Sequence, residues 1–332
     1  MSGTLPVERF SHEALLYSEM DEYLAGTLSF IREGLAASEP MLVVVGAAKI
    51  AALKAELGAE AGRVQFKDMA EVGANPARII PAWRKFVESH AGSGRPFRGI
   101  GEPIYPERSA AELVECQRHE ALLNVAFDGG PAWRLLCPYN TTALSLEVIE
   151  EAQRSHPYVA YDHTYAASGL YPEVVTAGAP FTTPLPEPPA VHATLAFNGN
   201  GLRPVRRLVS IQAARAGFTS QPIADLVLAT NEVAANSIEH GGGSGTLRVW
   251  RDGDVLVCEV RDGGHLEDPL ADRRRPAAEK EGGRGLWLAN QLCDLVQVRS
   301  FKMGTTVRLH MHRDHTPGLP AHASRASVRF ER

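Results

Sequence analysis

Residues 225–243 read DLVLATNEVAANSIEHGGG and space Glu232, Asn236 and His240 four apart. On an ideal helix each such step turns by about 40°, so the three side chains form one stripe. Ile223, Leu226, Val227, Thr230, Val233, Ala234 and Ser237 fall on a neighbouring, mostly apolar face. A helix of this kind packs on a sheet and shows its polar stripe at the rim. An Asn oxygen suits a hard cation such as magnesium, which keeps much of its water shell and uses few protein ligands. A carboxylate one turn away can orient or deprotonate an attacking hydroxyl or water. The same stripe also fits a solvated polar face that pairs only with water.

Three further stretches follow in order: Asp262-Gly263-Gly264, Gly282-Gly283-Arg284-Gly285-Leu286 and Gly304-Thr305-Thr306. Asp262 ends a strand, and a carboxylate there can accept from an exocyclic amine such as adenine N6. The glycines beside it let backbone approach a flat ring. An ordinary Asp-Gly turn is the alternative. Gly283 and Gly285 open a helix whose N-terminus is a ready anion site, with Arg284 able to touch phosphate; glycines there equally suit a hinge. Around these motifs the pattern predicts strands at 192–197, 247–251, 255–261, 296–301 and 305–310, with a hairpin turn at Asp252-Gly253. It predicts helices at 203–216, 222–240 and 285–295 and a polar loop at 265–282 carrying DRRRP (272–276). Mixed strands with helices on one side make an α/β sandwich.

As an ordered set, these motifs resemble the GHKL-type ATP-binding fold shared by gyrase, Hsp90, histidine kinases and MutL. Glu232, Asn236 and His240 match its first motif, Asp262 and Gly264 its second, Gly283 and Gly285 its third, and Thr305 its last. NEVAANSIEHGGG and GGRGLWLANQLCD are most similar to the anti-sigma-factor serine/threonine kinases. That resemblance implies ATP and Mg2+ as cofactors, with Asn236 on the magnesium, Glu232 as catalytic base and Asp262 on adenine. His240, Gly264, Gly283, Arg284, Gly285 and Thr305 complete the implied nucleotide site.

Upstream, the first domain alternates strand and helix. MLVVV (41–45) is a continuous apolar run, as in a buried parallel strand. Strands are also expected at 63–66 and 133–137, the latter followed by a loop at 138–142. Helices are expected at 23–35, 48–57, 76–89, 110–127 and 146–154, so a parallel sheet is covered by helices. No GxxxxGK[ST] follows any strand. HEALLY (12–17), GRVQFKDMAEVGANPARIIPAWRKF (62–86), RGIGEPIYPERSAAELVECQRHEALLN (98–124) and LLCPYNT (135–141) resemble the sensory (MEDS) domain named for methanogens and methylotrophs. The resemblance implies a RecA-like α/β fold without a phosphate loop, and sensing in place of catalysis. Glu102, Glu115, Arg118, His119 and Tyr139 are the pocket candidates, though they fit a structural ion-pair cluster equally. His12 and His119 are a metal pair lacking a third ligand at credible spacing.

The expected organisation is a sensory domain at 1–170, a linker at 171–191, the ATP-binding domain at 192–312 and a loose tail at 313–332. Six prolines between 172 and 191 rule out a helix or central strand there. A net charge of −5 argues against a general nucleic-acid surface. No apolar stretch reaches membrane-span length, and the N-terminus lacks a signal-peptide core. Four scattered cysteines read as reduced thiols in a cytoplasmic protein. The expectation is therefore a signalling regulator whose sensory domain controls an ATP-dependent serine/threonine kinase. The expected partners are a sigma factor and a STAS-type anti-anti-sigma protein, with homodimerisation open. The linker offers no acceptor helix of the histidine-kinase kind. Two alternatives remain: a nucleotide-holding sigma-binding module without kinase activity, and a histidine kinase acting on a separate acceptor.

Overall fold

The computed structural model describes residues 9–161, 164–172, 183–274 and 283–314. It separates into two compact units, up to residue 177 and from residue 178. No helix among the described residues is long and apolar enough to cross a membrane.

The first unit runs β1 (Ser11–Tyr17), α1 (Met20–Ala36), β2 (Met41–Val45), α2 (Ala47–Leu57), β3 (Gln65–Asp68), α3 (Met69–Val72) and α4 (Ile79–His90). It continues with β4 (Phe97–Gly101), α5 (Ala110–Ala126), β5 (Trp133–Asn140), α6 (Leu146–Ser155), β6 (Tyr158–Tyr161) and β7 (Thr164–Ala167). The sheet order is β3-β2-β4-β5-β1-β6-β7. Every neighbouring pair is parallel except β6–β7. β2 is buried along its whole length, as its apolar run requires.

Neither β1 nor β4 has such a run, yet both are buried, because their charges are paired inside. Arg134 on β5 donates twice to Glu13 on β1, at 2.7 and 2.7 Å. Arg98 on β4 donates to Glu33 at 3.1 Å and to Glu39. A bidentate guanidinium–carboxylate pair is the arrangement that tolerates burial. β5 also runs on through Pro138 to Asn140, where a loop was expected. Its β4 ladder stops at Leu136, so Pro138 is paired only with β1, a position where a missing N–H is tolerated. Helix α5 starts where Ser109 and Glu112 form a reciprocal capping box.

The second unit runs β8 (Ala193–Asn198), α7 (Leu202–Arg215), α8 (Ser220–Glu239), β9 (Ser244–Asp252), β10 (Val255–Asp262), α9 (Gly285–Leu292), β11 (Leu295–Phe301) and β12 (Gly304–His312). Its sheet is ordered β11-β12-β10-β9-β8 and is antiparallel throughout, where mixed strands were expected. The β9–β10 turn is Gly253-Asp254, one residue later than expected, with Gly253 at φ 59°. Helix α9 stops at Leu292, and Leu295 belongs to β11. The core joins Val205 and Val209 of α7, Leu226 and Val233 of α8 and Ala289 of α9 to Leu247, Leu256 and Leu309 of the strands.

The opposite face of this sheet carries charge. Glu259 is buried and accepts from Arg248, Arg261 and Arg308. Arg308 also lies over the Trp250 ring, 5.2 Å from its centroid. Residues 183–187 bind this face as a strap. Glu187 accepts from Arg248 at 2.7 Å and Arg261 at 2.5 Å, Arg308 donates to the Pro186 carbonyl at 2.5 Å, and Leu185 is buried. The expected linker therefore includes a segment that belongs to the second unit. Linker residues 173–182, loop residues 275–282 and tail residues 315–332 lie outside the described residues.

Hydrogen bonds from Arg248 and Arg261 hold the Glu187 carboxyl down to about 2. A carboxylate with a depressed folded pKa stabilises above its unfolded pKa, and that stabilisation is lost as pH falls through the folded value. The stability difference between the full chain and Glu187→Gln should thus be present at pH 7 and vanish between about pH 4.3 and 2. Thermal melts across that range check it; a difference independent of pH would mean the strap is not held by this carboxylate.

Candidate functional site

A cleft opens between α8, the end of β10, the loop after it, the start of α9 and β12. Its lining includes Asn236, His240, Asp262, Gly264, Gly283 and Thr305, with Val233, Leu266 and Leu286 as apolar walls. Apolar walls with a few convergent polar groups are the usual make-up of a small-molecule site. Four separated stretches of sequence thus meet in one place.

The carboxylate at its floor is held from two sides. Ser237 donates its hydroxyl to Asp262 Oδ2 at 2.7 Å, and Gly264 N donates to Oδ1 at 2.8 Å. Each oxygen keeps a further lone pair for a ligand. Two glycines are required by close approach. A Cβ at Gly241 would lie 2.5 Å from Asp262 Cγ. A Cβ at Gly285 would lie 2.8 Å from Asn236 Nδ2 and 3.3 Å from Glu232 Cβ. The N-terminus of α9 is therefore seated directly on the Glu232–Asn236 stretch of α8. Glu232 and Asn236 are half-buried, and Glu232 meets the site through Gly285, outside the cleft lining. Thr305 donates to the Gly264 carbonyl at 2.9 Å and so fixes the turn beside Asp262.

His240 lines the cleft but not as a helical residue: α8 ends at Glu239, and His240 is its exposed C-cap, 3.7 Å from Glu239. Arg284 is exposed at the N-cap of α9, behind Gly283 at φ 72°. In the loop, Arg273 is fully buried beside Asp272, and Asn290 of α9 donates to the Asp272 carbonyl at 2.9 Å.

Comparison with known proteins locates both units. The model of the MEthanogen/methylotroph, DcmR Sensory (MEDS) domain matches residues 11–157, and that of the histidine kinase-like ATPase domain matches residues 195–311. The serine-protein kinase RsbW of Halalkalibacterium halodurans is 30% identical over 125 residues, 34% of this chain and 77% of that protein. Through its second unit the chain belongs to the RsbW family. A solved structure of the RsbU and RsbW domains of a Mycobacterium tuberculosis protein matches at 23% identity with a TM-score of 0.28. That match covers 36% of this chain, which spans about a third (32%) of the solved one.

Within the RsbW-type domain, the site also draws on Ser237, Gly241, Leu266 and Ser300, which the motifs do not name. Ser237 reads as part of the apolar face of α8, and only the register of β10 reveals that it meets Asp262. Ser300 bonds the Leu266 N–H at 2.8 Å and Thr305 Oγ1 at 2.8 Å, a role no motif announces. Gly241 had a signal in the GGG run after His240.

In the MEDS domain the five pocket candidates are all buried. Glu102, just past β4, pairs with Lys49 of α2 and accepts from Tyr17 of β1 at 3.0 Å. Burial raises its carboxyl above the usual range against the pull of Lys49. These groups sit at the C-terminal ends of parallel strands, where ligands of open α/β sheets collect. Glu115 and Arg118 pair on α5 at 3.6 Å, and Tyr139 meets the His156 ring edge-on at 5.5 Å. His119 is buried on α5, but the imidazole beside His12 is His156, at 3.8 Å between ring centroids.

Proposed function

We propose that the second unit is an ATP-dependent protein serine/threonine kinase of the anti-sigma type, controlled by the sensory unit and acting in the cytoplasm. Its substrate is a serine or threonine of a STAS-type anti-anti-sigma protein, and a sigma factor is its other partner. The observation that supports this reading is the seating of Gly285 against Glu232 and Asn236, which brings a helix N-terminus and the Asn236 amide to the cleft with the Glu232 carboxylate beside it. Asp262 suits an adenine amine, being fixed by Ser237 and Gly264 with lone pairs to spare. Asn236 would hold magnesium, which supplies charge neutralisation for phosphoryl transfer. Glu232 would take the proton of the attacking hydroxyl. Gly264, Gly283, Arg284 and Thr305 line or flank the place for the phosphates and turn, and His240 stands at the mouth.

Calorimetry on the full chain should show magnesium-dependent ATP binding. Asn236→Ala should lose the magnesium dependence. Asp262→Asn should weaken binding about 10–100-fold, the worth of one hydrogen bond to a charged group. A wild-type chain that binds no ATP would overturn the kinase reading and the holding-module reading together. Acid-stable phosphate on a co-purifying partner supports a hydroxyl acceptor; acid-labile phosphate supports the histidine-kinase alternative.

A further inference from the structure

Beneath the first sheet, four buried donors from separate segments converge: His12 of β1, Glu120 of α5, Cys137 of β5 and His156 after α6. Their ligand atoms all lie within 4.8 Å of one another. His12 Nε2 is 3.0 Å from Glu120 Oε2, His156 Nε2 is 3.3 Å from the same oxygen, and Cys137 Sγ is 3.4 Å from His12 Nε2. A tetrahedron built with zinc–nitrogen, zinc–oxygen and zinc–sulfur bonds has edges of roughly 3.2–3.7 Å. Three of the six edges, at 3.0, 3.3 and 3.4 Å, are already near that length, and the remaining ones are no longer than 4.8 Å.

The hydrogen bonds around the cluster fix which ring nitrogens face inward. His156 Nδ1 is 2.7 Å from the Ala152 carbonyl, which can only accept, and 3.1 Å from Ser155 Oγ. His12 Nδ1 is 3.2 Å from Asn124 Oδ1, and Asn124 is oriented by its own donation to the Ser155 carbonyl at 2.7 Å. Both Nδ1 atoms therefore carry the proton, and in neutral rings both Nε2 lone pairs point at the same carboxylate oxygen. His156 Nε2 is buried and makes no hydrogen bond. Outward Nδ1–H bonds to oxygen with bare Nε2 atoms inward are how metal-binding histidines are held.

A single proton between His12 Nε2 and Glu120 leaves the buried His156 Nε2 with no hydrogen bond. One proton serves only one of the two nitrogens. Two protons place two imidazolium rings 3.8 Å apart in the interior around one carboxylate. A divalent cation with one carboxylate and one thiolate is neutral overall, which burial favours. We propose that His12, Glu120, Cys137 and His156 form a closed four-ligand site for one divalent cation of the zinc class. Two imidazoles and a thiolate select zinc-like ions over magnesium or calcium, and four protein ligands with no open position mark a structural ion, not a catalytic one. The site ties together β1, α5, β5 and the end of α6. It is independent of the nucleotide cleft and of the kinase reading.

The test uses the full chain, stripped with chelator and reloaded with zinc chloride or cobalt(II) chloride alone. About one ion per chain should remain after dialysis, and the cobalt form should show a thiolate charge-transfer band with intense tetrahedral bands. Cys137→Ser should abolish the charge-transfer band. Asn124→Ala, which touches His12 without being a ligand, should weaken binding about tenfold or more. No retained ion overturns the proposal, as does a cobalt spectrum unchanged by Cys137→Ser, which places the ion elsewhere. Should Cys137→Ser not fold, wild-type cobalt bands of octahedral strength without a sulfur band overturn it equally.

Discussion

Replacing Glu232 by Gln is expected to leave ATP binding close to that of the native chain and to cut phosphotransfer by about 10²–10⁴-fold, the usual contribution of a positioned general base. The amide keeps the size of the side chain, so the seat for Gly285 is preserved; a Cβ added there would stand 3.3 Å from Glu232 Cβ. The capacity to take a proton is lost. The split between binding and transfer matters because each alternative breaks it differently. A module that only holds nucleotide has no transfer to lose. A chain in which Glu232 is merely part of the packing under α9 would transfer at the native rate, and the base role would then be withdrawn. Radiolabel transfer to a purified anti-anti-sigma partner, with calorimetry on the same preparations, measures both quantities.

The second large effect is expected at Glu259. This carboxylate is buried on the outer face of the second sheet and accepts from Arg248, Arg261 and Arg308. Burial alone would raise its pKa, but the hydrogen bonds from Arg308 and Arg248 win and lower it. Glu259→Ala leaves Arg308, itself buried, without its main counter-charge. Removing one partner of a buried pair costs about 3–5 kcal/mol. Arg261 and part of Arg248 reach solvent, which argues for the lower end. About 3 kcal/mol corresponds to a melting temperature lowered by roughly 6–12 °C for a domain of this size. The strap should loosen as well, since Arg248 and Arg261 would lose the anchor that aims them at Glu187. An unchanged melting temperature would mean that the arginines find water without loss.

The architecture of the second unit was legible because its periodicities are clean and its motifs are ordered. Helix α8 declares its apolar face, and the glycines mark each close approach at the cleft. What pairing across the sheet creates was not legible. Ser237 and Asp262 are 25 positions apart and meet only through the register of β10 beside α8. In the first unit, β2 and the start of β5 are visible as apolar runs. β1 and β4 are not, because Glu13 and Arg98 are charges that look exposed until their partners Arg134, Glu33 and Glu39 are placed. The same blindness paired His12 with His119, since which imidazole stands beside it depends on how α6 ends. Residues 183–187 look like spacer because proline marks absence of helix and strand, and says nothing about whether an extended segment is docked.

The placement of β1 between β5 and β6 sets a schedule for the ribosome. β1 is made first, yet Glu13 waits for Arg134, 121 positions later. At about 5–20 residues per second, that interval lasts roughly 6–24 s. During it a nascent chain carries an unpaired carboxylate and two open strand edges, and the sheet cannot close around its centre. In the second unit the waits are shorter: β9 and β10 pair as a hairpin, Val255 of β10 meets His312 of β12 57 positions on (312 − 255), and Ala193 of β8 meets Val249 of β9 56 positions on (249 − 193). Synthesis thus exposes the first unit to chaperones and misassembly longer than the second, and non-local pairing of this kind is slow even once the chain is complete.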